Sequence, residues 1–372
     1  ELDEAVRTNE TVRVRLFALL GASTAFGDHL AANPELWREL EKPLPQPEEM
    51  LQSLLGAVVA QAGFRRTLGR QAMVAGALLG AVPDLDVVAG YFGPYANWVH
   101  HRGITHSIFF GPVVGPFFGW AIWRFHRWRA SRRGEPDRPD APEMLRAWIW
   151  LAVLVLFTHP IIDLFTSYGT QLLAPISRHR FAIDALPIID PVYSLALIAA
   201  LVVGTVAKRR PGAAVGSAAA ALLFIYGYSL MGWAINDSVR STAREELRQA
   251  GQPVGEVLAY PQMFQPWFRR VVAETPESIM VGYRSVFGDR PIEWQTYPLQ
   301  ADPLIDRVAA TPEAAIFTWF AMDKVFWQVS ETPDGAVVEA LDYRYGMWGG
   351  DAVGFWGIRA RVDRDGHLLG PP

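Results

Sequence analysis

Cysteine is absent from the 372 residues and charge is scarce, with 19% Asp, Glu, Lys and Arg against 51% hydrophobic residues. The missing thiols exclude disulfides, thiolate metal sites and cysteine nucleophiles, so any metal must be held by His, Asp or Glu. A cleavable signal peptide is not evident at the polar, charged start. There is also no internal repeat and no serine-nucleophile motif. The net charge of −4 says little, because the two signs are segregated along the chain.

What is present is apolar length. Runs at 104–125, 147–168, 188–207 and 213–235 reach or approach the roughly 20 residues that cross a bilayer. A buried core helix explains any one of them; four in succession indicate a polytopic membrane protein. Two earlier segments, 50–64 and 71–82, are short for full spans and are expected to be tilted, re-entrant or half-inserted. The fold class expected is mainly α: a polytopic helical membrane domain followed by a smaller α+β soluble domain. Three regions follow. Residues 1–49 are acidic and helical in pattern, 50–235 form the membrane domain, and 236–372 regain globular composition. The last region opens with the helical "NDSVRSTAREELRQAG". It continues with strand-like "SIMVGYRSVF", "VFWQVS", "AVVEALDYRYG" and "WGIRARVDRDG", separated by turn signals such as "PDG" and "RDG".

Basic residues set the expected orientation. The loop "RFHRWRASRRGEPDR", with "FRRTLGR" and "AKRRPG", belongs in the cytoplasm. The segments around "PDLD…HHRG" and "SYGTQLLAPISRHRFAIDALP", and the C-terminal domain, then lie outside. The exception is "ISRHRF", which places Arg178 and Arg180 on the outer side and so asks for a role for them.

This topology gathers polar groups at one membrane face. Pro83 stops the second apolar helix, and Asp84 and Asp86 follow it; in an extended segment their side chains point the same way. His101 lies in the loop before the next span and His106 in its first helical turn. His159 and Asp163, four apart in "THPIID", share a helix face. Asp184 and Asp190 precede the following run, Asp190 with a helix cap as its bland explanation. Ionisable groups inside an apolar span are costly and should face a cavity or a partner, and a metal supplies the compensating charge. Mixed imidazole and carboxylate donors suit Zn²⁺, Mn²⁺ or Fe²⁺ and disfavour Mg²⁺ and Ca²⁺. A catalytic zinc takes about three protein ligands plus water, so a six-residue set admits one to three ions. Such ions bind phosphoryl oxygens and activate water. Arg102 beside the ligands suits an anionic group of the substrate. Arg178 and Arg180 suit phosphate or carboxylate equally with lipid headgroups or the neighbouring carboxylates Asp184 and Asp190.

The stretches "LLGAVVAQAGFRRTLGRQAMVAGALLGAVPDLDVV", "HRGITHS" and "HPIIDLFTSYGT", in that order over residues 48–235, resemble the YdjM-like family of bacterial inner-membrane-associated metal-dependent hydrolases. The resemblance extends more loosely through "LDYRYG". It implies Asp84, Asp86, His101, His106, His159 and Asp163 as metal ligands. It also implies a distant similarity to zinc-dependent phospholipase C and P1-type nucleases. Members begin near a "DSLTQ"-like motif, where this chain has "EEMLQ": Gln52 is kept, Leu51 stands for Thr and Glu48 for Asp. Residues 1–46 resemble instead a fragment of glutamine synthetase adenylyltransferase, which points to a fusion or gene-model artefact at this end.

The function expected is a multi-pass inner-membrane hydrolase using zinc, or manganese, to cleave a phosphoester of a lipid or lipid-linked substrate. Arg102 and Asp190 are its catalytic candidates and Arg178 and Arg180 its substrate contacts. A transporter would carry polar residues through to the inner halves of the spans, which "AWIWLAVLVL" and "LIAALVVGTVA" lack. A non-catalytic scaffold with a structural metal is the other alternative. Nucleic acid is not an expected partner, because orientation accounts for the main basic cluster.

Overall fold

A computed structural model describes residues 47–372, apart from 94, 135–140, 208–209, 289, 347, 349–352, 355 and 371. The helix expected within 1–46 and parts of two basic loops lie outside these residues. Residues 51–372 form one compact unit.

The membrane part is built from α1 (Pro47–Gly63), α2 (Arg65–Leu68), α3 (Gln71–Ala81), α4 (Ala96–His100), α5 (Phe110–Arg132), α6 (Ala141–Asp163), α7 (Pro191–Val206) and α8 (Pro211–Gln249). Among the described residues, three stretches are long and apolar enough to cross a membrane, Gln71–Phe92, Pro142–Asp163 and Pro211–Gln249. A fourth arises if Ala96–His106 and Phe110–Arg132, bent by 71°, count as one span.

Three expectations change. The 71–82 segment is not short: past Pro83 the chain tightens into a 3-10 helix, Pro83–Phe92, which prolongs α3. The run at 104–125 is not one helix. A single 3-10 turn, Ile104–His106, is followed by extended Ser107, whose Oγ accepts from the Phe109 amide (3.2 Å) before α5 begins. The 188–207 run yields the shorter α7 of 16 residues.

Glycine sets the close helix contacts. A Cβ on Gly56 would lie 2.1 Å from the Gly76 carbonyl oxygen, and one on Gly80 2.3 Å from that of Gln52, so α1 and α3 meet backbone to backbone. Gly111, Gly115 and Gly119 do the same for α5 against α6, where a Cβ would meet backbone at 2.4 to 2.8 Å. Such approach lets helices pack where water supplies no hydrophobic drive. Fully buried Gln61 donates to the carbonyls of Ala200 (2.7 Å) and Ala214 (3.0 Å), tying α1 to α7 and α8.

Helix α8 runs unbroken through residues 235 and 236, where composition changes from apolar to polar. Its last turns pack Val239, Ala243 and Leu247 against Val257, Ala259, Val271 and Ala273. These strand residues belong to an antiparallel sheet ordered β1 (Val257–Gln262), β2 (Gln265–Glu274), β3 (Ser278–Ser285), β4 (Gln295–Pro298). Helices α9 (Pro303–Ala309) and α10 (Pro312–Phe320) lead to a second antiparallel sheet of β5 (Val325–Thr332), β6 (Gly335–Asp342) and β7 (Gly357–Asp363). All four strand-like segments read from the sequence are strands; β1, β2 and β4 were not foreseen. The result is a helical membrane protein carrying a small antiparallel-sheet domain.

Candidate metal centre

Four polar atoms from three segments meet inside the helical part. Asp84 comes from the 3-10 helix after α3, His106 from the 3-10 turn before α5, and His159 and Asp163 from the last turns of α6. All four side chains are buried. His106 Nε2 lies 3.2 Å from Asp84 Oδ1, 3.0 Å from His159 Nε2 and 3.3 Å from Asp163 Oδ2. His159 Nε2 lies 3.4 Å from both Asp84 Oδ1 and Asp163 Oδ2. Donors about 2.0–2.1 Å from a tetrahedral ion stand roughly 3.3–3.4 Å apart. The distances found match that spacing, and Asp84, His106 and His159 together could hold a metal ion.

Proton placement strengthens the fit. His159 Nδ1 faces the Gly80 carbonyl at 2.8 Å, a pure acceptor, so Nδ1 carries the proton and Nε2 presents a lone pair. His106 Nδ1 faces Asp86 Oδ2 and Thr105 Oγ1, both at 3.1 Å. The Thr105 hydroxyl donates to Asp86 Oδ2 (2.6 Å), so this ring too carries its proton on Nδ1. Two imidazole lone pairs and the Asp84 carboxylate then share one buried point, which calls for a cation, and Asp163 Oδ2 lies 3.3 to 3.4 Å from the same two rings. Asp84 Oδ2 and Asp163 Oδ2 are buried without a hydrogen-bond partner, as expected of groups arranged around an ion.

The surrounding contacts hold the donors in place. Gln52 Nε2 donates to Asp163 Oδ1 (2.8 Å), and the Arg102 guanidinium lies 3.7 Å from that oxygen while donating to Thr166 Oγ1 (2.8 Å). Arg102 adopts φ +56°, which turns its backbone amide onto Asp86 Oδ2 (3.1 Å). Gln52 and Gly80 reach the centre because α1 and α3 touch at Gly56, Gly76 and Gly80.

The six expected ligands therefore divide. Asp84, His106, His159 and Asp163 converge. Asp86 and His101 pair with each other one layer out, Asp86 Oδ1 to His101 Nδ1 at 2.6 Å. Asp86 does not point with Asp84, because the local chain is a 3-10 helix rather than extended. Residues two apart diverge by about 120° there.

Asp190 is the N-cap of α7. Its Oδ1 accepts from the amides of Val192 (2.9 Å) and Tyr193 (3.1 Å), and its Oδ2 from the Tyr228 hydroxyl (2.8 Å), so both oxygens are engaged away from the converging donors. Arg180 is buried, donating to the Gly169 carbonyl (2.8 Å), while exposed Arg178 lies over the Trp319 ring. Neither is among the residues that meet at the centre. The Arg102 guanidinium stands next to it, sandwiched with the Tyr168 ring 4.7 Å away. Thr105, Thr166 and the Gly80 carbonyl escape the sequence reading because small hydroxyls and backbone oxygens carry no signal of their own. Gln52 was visible only as a remnant of the family's opening motif.

The model of the YdjM inner membrane protein family matches residues 50–235, half of the chain. YfhP of Bacillus subtilis (strain 168), a protein described as uncharacterized, is 26% identical over 269 residues, 71% of this chain and 74% of that protein. The inner membrane protein YbcI of Escherichia coli (strain K12) is 37% identical over 112 residues, 29% of this chain and 56% of that protein. A 65-residue segment is 52% identical to the bifunctional glutamine synthetase adenylyltransferase/adenylyl-removing enzyme of Corynebacterium diphtheriae. It makes up 17% of this chain and spans only 6% of that enzyme. No solved structure matches. With its apolar helices and the "PDLD", "HRGITHS" and "HPIID" segments all inside the matched region, the chain belongs to the YdjM inner membrane protein family.

Proposed function

We propose that the protein is a membrane-embedded, metal-dependent hydrolase acting on a phosphoester of a lipid or lipid-linked substrate. The observation that carries the reading is the buried meeting of Asp84 Oδ1, His106 Nε2 and His159 Nε2, 3.0 to 3.4 Å apart, with Asp163 Oδ2 on the same two imidazoles. Asp84, His106 and His159 would hold a divalent ion, zinc before manganese by donor type, with Asp163 beside them. When bound, the ion would supply Lewis acidity and lower the pKa of water. Asp86 holds His106 with its lone pair inward, the carboxylate–histidine arrangement that raises ligand basicity. Arg102 and Gln52 fix Asp163 through its other oxygen. The Arg102 guanidinium, 3.7 Å from Asp163, is the cation nearest to receive an anionic substrate oxygen. A lipid substrate is supported by Leu85 and Ile104, exposed apolar neighbours of the site residues that would face hydrocarbon. We place the centre and the sheet domain on the extracytoplasmic side, from the basic loops.

A second reading is a scaffold with a structural metal. A closed shell of four protein donors is the mark of structural zinc, and the burial of the donors favours this reading. Elemental analysis of the purified protein, with Asp84→Ala and His159→Ala beside it, tests the shared centre. Hydrolysis of phosphodiester and phosphomonoester lipids by the loaded protein separates the readings. Bound metal with activity, both lost in the variants, supports the hydrolase. Metal without activity supports the scaffold, and no metal removes both.

A further inference from the structure

A cavity of about 770 Å³ lies where the loop between α6 and α7 meets α9, α10 and β5, lined among others by Arg178, His179, Arg180, Trp319, Asp323 and Trp327. It is separate from the metal centre, and its charge is unbalanced. Three buried guanidiniums cluster around Tyr168 and Phe320. Arg102 lies 4.7 Å and Arg180 5.3 Å from the Tyr168 ring, and Arg180 and Arg344 lie 5.0 and 5.8 Å from that of Phe320. Two of them face carboxylates. Arg344 forms a fully buried ion pair with Asp342 (2.6 Å), and Arg102 faces Asp163. Arg180 meets only backbone carbonyls and aromatic faces among the described residues, and its buried Nε has no hydrogen-bond partner. Burial, reinforced by the neighbouring Arg344 and Arg102, lowers its pKa to about 10, so it remains charged at neutral pH.

A buried cation without a counter-charge is costly, and this one lines a cavity shared with Arg178 and His179. Guanidinium pairs suit phosphate, which accepts bidentate hydrogen bonds. Trp319 braces the arrangement, its Nε1 donating to the Arg178 carbonyl (3.1 Å) with both guanidiniums over its ring. Trp327 leaves an aromatic wall for a ring. Asp323 follows Met322 in the left-handed region (φ 62° and 53°), an uncommon conformation for such residues. It adds a carboxylate able to accept from ring hydroxyls.

We propose that this cavity binds the phosphorylated polyol ring of a sugar phosphate or a sugar-like lipid headgroup. Phosphate sits among Arg178, His179 and Arg180, and the ring lies against Trp327 and Asp323. The assignment does not depend on hydrolysis at the metal centre. The test is calorimetric titration of the full chain in phosphatidylcholine nanodiscs with glucose 1-phosphate and with inorganic phosphate, and of nanodiscs with and without phosphatidylinositol. Arg178→Glu, an exposed substitution, and Trp327→Ala are compared with the parent, thermal unfolding serving as the check on folding. Saturable binding of glucose 1-phosphate, or stabilisation by phosphatidylinositol alone, supports the site and identifies a soluble or a lipid source respectively. Loss of a charge-assisted contact should weaken it about tenfold or more in Arg178→Glu. Asp84→Ala should bind as the parent does, which keeps this outcome apart from the fate of the metal centre. No binding of either polyol phosphate at millimolar concentration overturns the proposal. So does equal binding by Arg178→Glu, or inorganic phosphate binding as tightly as glucose 1-phosphate.

Discussion

Replacing Asp86 with Asn separates a metal ligand from a residue that merely orients one. In the structure the Asp86 carboxylate stands behind His106, with Oδ2 3.1 Å from Nδ1 and Oδ1 2.6 Å from His101. Asparagine can keep its carbonyl on Thr105 and the Arg102 amide and turn its amide toward His101, so the shape survives and the charge is lost. Removing such an outer partner costs about 10–100-fold in metal affinity, or about 1.4–2.8 kcal/mol at 1.4 kcal/mol per decade. Asp84→Asn, which alters a converging donor, should cost far more and leave the protein metal-free after dialysis. Competition with a chromophoric zinc chelator in detergent measures both. Equal losses in the two variants would make Asp86 a ligand. An Asp86→Asn affinity equal to the parent's would refute the role given to the carboxylate.

Three further outcomes are expected. Gly119→Ala should lower the melting temperature in detergent, because the added Cβ falls 2.4 Å from the Ile149 Cα; overpacking of this kind costs about 1–3 kcal/mol. Gly227→Ala, with open space at its Cβ, should leave melting near the parent's. The chain has no cysteine, so single substitutions report sidedness directly: in intact cells Glu331→Cys should react with a membrane-impermeant maleimide and Arg133→Cys should not, and the reverse would invert the orientation. Asp184 sits at φ +57° with a buried Oδ1 lacking a partner, and burial raises its pKa. A raised folded-state pKa means that the acid's contribution is fully present below the unfolded value of about 3.9 and is lost as pH rises through the folded value. Asp184→Asn should therefore melt higher than the parent at pH 7 and equal to it below about pH 4. A gain independent of pH would point away from ionisation.

The sequence alone determined the class of molecule and the chemistry open to it. Apolar runs of spanning length can be satisfied only by helices in lipid, and a chain without thiols leaves imidazole and carboxylate as its metal donors. The pairing of His159 with Asp163 was legible because helical periodicity is local: four residues return to the same face, and the structure sets their Nε2 and Oδ2 atoms 3.4 Å apart. The strands β5, β6 and β7 were legible for the same reason, as alternation within a single segment. Tertiary structure decided what depends on neighbours distant in the chain. Whether Asp84 or Asp86 faces the centre turned on a 3-10 helix where the sequence pattern suggested an extended segment. Gln52 reached Asp163 across 111 residues because glycine contacts bring α1 and α3 together. Asp190 became a cap because helix α7 starts at the next residue. Among the described residues Arg180 meets no carboxylate, whereas Arg344 of the same cluster is paired with Asp342 of the sheet domain. Side-chain direction and charge partnership are properties of the assembled neighbourhood, and no local segment of the chain encodes them.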